Sequence, residues 1–74
     1  MKPEKLIYMA NQIATFFESK KEAEGIEGVA AHISDFWEPR MRDQLSEIIA
    51  GGGQGLKPLV LKAAPQIRKP VEID

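Results

Sequence analysis

The run from His32 to Arg42 reads His-Ile-Ser-Asp-Phe-Trp-Glu-Pro-Arg-Met-Arg and gathers the side chains most able to do chemistry in this chain. Arg40 and Arg42 carry planar guanidinium forks, which pair well with carboxylates and phosphates. Trp37, beside Phe36, is the kind of large ring that anchors protein–protein contacts. His32 is the only histidine, and cysteine is absent. Lacking a second histidine, a thiolate or an orienting carboxylate, His32 has no partners for a zinc site or for base catalysis. It reads as a boundary residue bonded to backbone or solvent. The chain holds no G-x-S-x-G, no G-x-G-x-x-G and no P-loop. Gly51-Gly52-Gly53-Gln54-Gly55 is glycine-rich but lacks the lysine and Ser/Thr of a phosphate loop, and it follows a helical stretch rather than a strand. The chemistry on offer is recognition of another molecule. An enzyme is not expected, nor is a bound cofactor or metal.

Each recognition residue carries two readings. Trp37 either fills a helix–helix corner or anchors a partner, while Phe36 and Met41 are expected to point inward. Arg40 and Arg42 fall in the first turn of a helix opening at Pro39, where positive charge opposes the helix dipole. Glu38 and Asp43 offset that cost, Glu38 lying four residues before Arg42. On one reading the arginines make solvated local ion pairs. On the other they are held ready for carboxylates or phosphates of a partner. They point to roughly opposite flanks of the helix, so one outside group cannot easily meet both.

The elements that position these residues are helical. Residues 3–19 place Leu6, Met9, Ala10, Ile13, Phe16 and Phe17 at helical spacing, with Pro3 suited to a first turn. A polar stretch over 19–25 reads as a frayed end or loop. A second helix is predicted over 26–36, weakened by Gly28. Glu38-Pro39 is a break, because the residue before proline avoids helical angles. The third helix runs from Pro39 with Met41, Leu45, Ile48 and Ile49 inward, and the glycines at 51–53 end it. A short fourth helix carries Leu56, Leu59, Val60 and Ala63, with Pro58 in its first turn and Pro65 at its end. No alternating strand pattern occurs. The expected architecture is all-α: a small bundle of three helices plus a short fourth, with antiparallel neighbours, as one domain over 1–67 and a tail over 68–74.

The first helix is apolar around most of its circumference, which marks burial on more than one side. A chain this short cannot easily cover both sides itself. The Ile7–Tyr8–Asn11–Ala14 side is therefore a candidate partner surface. The plainer alternative makes Ile7 and Ala14 core margin and Tyr8 an ordinary exposed ring.

Composition narrows the class. At 74 residues with 43% apolar content, the chain forms a single small core. Cores of this size supply roughly 3–5 kcal/mol, so disulfides, metals or partners commonly add support. The missing cysteines and the lone histidine leave a partner subunit, of this or another kind. A net charge of -1 argues against nucleic acid, whose binding draws on a basic excess. No signal peptide is evident, and nothing approaches the about 20 apolar residues of a membrane span. The cytoplasm is the expected location.

Several motifs together resemble one family. Met9-Ala10-Asn11-Gln12-Ile13-Ala14 followed by Phe16-Phe17, the block His32, Phe36-Trp37, Pro39-Arg40-Met41-Arg42, and Gly55-Leu56, Pro58-Leu59-Val60 and Ala63-Ala64 are similar to the delta subunit of NAD-dependent, molybdenum-containing formate dehydrogenases. The resemblance spans most of residues 4–64 and is most specific at the Phe-Trp-x-Pro-Arg-Met-Arg block. It implies a non-catalytic accessory subunit that binds the large molybdenum-containing subunit and supports assembly or stability of the active complex. In that family the cofactors belong to the other subunits. Residues expected to meet the partner are Tyr8, Asn11, Trp37, Arg40 and Arg42. Two alternatives stay open. One is a transient maturation chaperone for the apo-enzyme or its molybdenum cofactor. The other is a free-standing helical regulator, including a homodimer or a helix-turn-helix nucleic-acid binder.

Overall fold

A computed structural model describes residues 1–68. They form α1 (Pro3–Phe17), α2 (Glu22–Phe36), α3 (Pro39–Ala50) and α4 (Pro58–Ala63), followed by a 3₁₀ turn at Ala64–Gln66. The described residues contain no strand. The all-α bundle of three helices and a short fourth is therefore the fold. Of the expected tail, Arg68 is described, and 69–74 lie outside the described residues.

Three of the helices open on proline, and each is preceded by an extended residue: Lys2, Glu38 or Lys57. Proline's fixed φ suits the first helical position, where an N–H would have no intrahelical partner. Its ring also forces the preceding residue out of the helical region, so each boundary is sharp. α2 lacks this device. It begins at Glu22, earlier than the expected 26, with Glu22 and Glu24 complementing the positive end of the helix. Gly25, which reads as a break, is instead buried within α2, where a Cβ would meet the Phe17 carbonyl and the Leu59 methyl groups.

α2 is the central helix, packed against α1 on one side and α4 on another, while α3 lies against α1. Leu6, Ala10 and Ala14 of α1 are fully buried, as are Val29 and Ile33 of α2 and Val60 and Ala63 of α4. Leu45 of α3 and Leu56 of the α3–α4 connector close the core. This answers the problem of the two-sided first helix. α4 and its connector lie over the second side, so Ala14 is core and Ile7 packs against it.

Gly28 shows what the close α1–α2 contact requires. A Cβ built there would sit 2.3 Å from a Phe17 ring carbon. The helix-weakening glycine makes room for an aromatic ring. Gly28→Ala is accordingly expected to destabilise the chain, although alanine is the better helix former by about 1 kcal/mol. Overpacking of this kind costs roughly 1–3 kcal/mol. The net expectation is a loss of up to about 2 kcal/mol. Thermal unfolding followed by circular dichroism measures it, and a melt raised by the substitution would contradict the account.

The end of α3 is closed by a Schellman arrangement. The Gly53 N–H donates to the Ile48 carbonyl at 2.9 Å and the Gly52 N–H to the Ile49 carbonyl at 3.0 Å. This satisfies carbonyls that the helix leaves open. Gly52 and Gly53 have φ of 118° and 67°, a region that disfavours side chains. A Cβ on Gly53 would also meet a Leu61 methyl at 2.6 Å.

Candidate partner interface

The last turn of α2 and the first turn of α3 set the geometry of the corner. Trp37 is the residue just past α2, and its backbone is extended, with ψ of 141°. Trp37 still follows the spacing of α2, its N–H bonded to the Ile33 carbonyl at 3.1 Å, and the chain turns away after it. Trp37 is only 7% exposed, whereas Phe36 is 75% exposed. The expectation for Phe36 is thus corrected, since it stands in solvent, and of the two readings of Trp37 the structure has it plug the corner. Met41 is half-buried and packs against the core.

The arginines divide as sharply. Arg40 is exposed, while Arg42 is 9% exposed. The Arg42 Nη1 donates to the Ser34 carbonyl at 3.2 Å. Ser34 lies in the last turn of α2, which carries no basic residue of its own. Arg42 therefore supplies positive charge to the negative end of α2 from a neighbouring helix, offsetting its unfavourable place at the start of α3. No ion pair of Arg42 with Glu38 occurs among the described residues. Ser34 was not singled out from the sequence, and no local pattern there marks a contact made across helices. It also accepts the Arg68 N–H through its hydroxyl at 2.8 Å.

Asn11 has a comparable internal task. Its Nδ2 donates to the Gly55 carbonyl at 2.8 Å, and its Oδ1 accepts the Lys57 N–H at 2.9 Å. One amide thus pins the connector ahead of α4 to α1. Tyr8 is 61% exposed, and its hydroxyl accepts a hydrogen bond from the Gln12 side chain at 2.8 Å. Of the five residues expected to meet a partner, Asn11, Trp37 and Arg42 have contacts within the fold, and Tyr8 and Arg40 face solvent. The structure does not bring the five into one site.

It forms a different feature instead. Met9, Gln12, Ile13 and Phe16 of α1 face His32 of α2 and the edge of Trp37 across a groove of about 450 Å³. Phe16 is 69% exposed. Its ring meets Phe17 edge-on at 5.0 Å, and the Phe36 ring lies 4.8 Å from His32. Both exposed rings are therefore braced by aromatic neighbours. Sequence reasoning points Phe36 inward and sets Phe16 at the margin of the core face of α1. The available signal was that Phe16 lies two turns beyond Tyr8, on the row Tyr8–Gln12–Phe16.

Fold and groove define a class: a small helical bundle whose organised surface is apolar and aromatic. No group of three or more metal-binding side chains occurs among the described residues, and no described helix is long and apolar enough to cross a membrane. The family follows from comparison with known proteins. The sequence profile of the NADH-dependent formate dehydrogenase delta subunit FdsD matches residues 5–64. The chain belongs to this family of delta subunits. Comparisons with curated proteins and with solved structures give no match.

Proposed function

We propose that this chain is a non-catalytic accessory subunit that works in the cytoplasm and binds the large molybdenum-containing subunit of a formate dehydrogenase. Through that contact it supports assembly or stability of the active complex. The observation that carries the reading is the groove lined by Phe16 and His32, with the exposed Phe36 packed on His32 beside it. Two large aromatic rings standing in water around an apolar floor are unfavourable in a free protein and suit a partner contact. The occupant fitting such a groove is a segment of the large subunit presenting an apolar face, as in helix-in-groove recognition. Tyr8 and Arg40 are exposed residues able to join the polar rim of the same contact. Trp37 contributes by forming the floor, and Asn11 and Arg42 by holding the connector and the corner in place.

Tagged chain co-expressed with the enzyme's subunits tests the reading. The chain is expected to co-purify with the large subunit in fixed proportion, and preparations lacking it should contain less assembled, active complex. Equal assembly without the chain, with the chain eluting separately, would refute the proposal.

A further inference from the structure

A second concavity lies on a different side of the last turn of α2, between α3 and the segment after α4. It is a cleft of about 60 Å³ lined by Arg42, Ser46 and Arg68 together with Leu45, Ile49 and Ile67. Two arginines thus border one small, largely apolar space. Arg42 is more than nine-tenths buried, and among the described residues its Nε has no hydrogen-bond partner. Among the described residues its one hydrogen bond is to the uncharged Ser34 carbonyl. A buried cation met only by a neutral acceptor is costly. Arg68 contacts Asp35 at 3.4 Å in a pair that is exposed on both sides, and such pairs are weak and readily exchanged. Arg40, the neighbour expected to share in binding, takes no part in this cleft.

We infer that the cleft between Arg42 and Arg68 receives an acidic side chain, aspartate or glutamate, of the protein that this chain binds. The volume admits a carboxylate head and little more. The planar forks suit bidentate pairing with it. The walls formed by Leu45, Ile49 and Ile67 match the methylenes that precede a glutamate carboxylate. This inference rests on the accessory-subunit reading for its partner, while the cleft's capacity for a carboxylate is measurable on the free chain.

Ser46 borders the cleft one turn beyond Arg42, so Ser46→Glu places a carboxylate beside the arginines from within. The full chain carrying Ser46→Glu is expected to melt several degrees above Ser46→Gln, the neutral control of equal size. An equal or lower melt overturns the inference. In the complex, Arg68→Gln leaves the buried Arg42 in place and spares folding. It is expected to weaken binding to the large subunit about tenfold, the scale of one charge-assisted hydrogen bond, and added salt should narrow the difference. Unchanged affinity for Arg68→Gln, with binding still lost on substitution of the groove phenylalanines, overturns the cleft proposal alone. Failure of the unsubstituted chain to bind the large subunit overturns the accessory reading. The melting comparison then still decides whether the cleft takes a carboxylate.

Discussion

Trp37→Ala is expected to abolish cooperative folding of the isolated chain at room temperature. Trp37 is the largest side chain in the core and is 7% exposed, at the junction of α2 and α3. Truncating a buried tryptophan to alanine costs roughly 3–5 kcal/mol, the transfer and cavity contributions together. A single core in a chain of this size supplies about the same amount. The loss therefore meets or exceeds the whole stability. Far-UV circular dichroism should show helix content collapsing without a melting transition, and Trp37→Phe should keep part of it. A Trp37→Ala chain melting within a few degrees of the parent would mean that the corner is not built on this ring. Any failure of Trp37→Ala to bind a partner has to be separated from this loss of fold.

The paired substitution Phe16→Ser with Phe36→Ser should do the reverse. Both rings are mostly in solvent. Surface changes of this kind usually alter stability by less than about 0.5 kcal/mol, so the melt should hardly move. Binding to the proposed partner, the large subunit, is a different matter. Burying a phenylalanine side chain contributes roughly 1.5–3 kcal/mol. The two rings are already braced by Phe17 and His32, so little of this is spent on ordering them. The double variant should bind about a hundredfold more weakly or worse, measured by calorimetry or by retention in the purified complex. An affinity unchanged by the loss of both rings would leave the groove without a function.

These variants also mark the limit of what the sequence discloses. The starts of α1 and α3 are legible because proline fixes its own φ and constrains the residue before it, a local rule; the same rule opens α4 at Pro58 and leaves Leu56, expected within that helix, in the connector. The end of α3 was legible because glycine takes left-handed angles cheaply. The start of α2 is misplaced because the polar stretch ending at Gly25 looks like a break along the chain. The reason for Gly25, as for the helix-weakening Gly28, is spatial: Leu59 and the Phe17 ring occupy the room that their side chains would need. Phe36, expected inward, stands in solvent because Trp37, four residues after Ile33, continues the buried row of α2 and fills the corner. Arg42 was read against its own helix, where its charge is unfavourable, and the acceptor that accounts for its position belongs to another helix. The five expected contact residues were chosen for chemical character. Character does not reveal that Asn11 bonds to a connector more than forty residues away.

The small residues at the helix contacts have a further consequence. Ala10, Ala14 and Ala63 are completely buried, Ala30 nearly so, and Gly25 and Gly28 face Leu59 and Phe17. Ordering a leucine or isoleucine in a core removes about 0.5–1 kcal/mol of rotamer freedom, while alanine and glycine have none to lose. Much of this interior is thus assembled from groups that bring no side-chain disorder to be suppressed. For a chain with so little apolar mass, that saving favours the folded state without any added contact. It also leaves the larger rings of α1 and α2 free to stand on the outside, where another protein can use them.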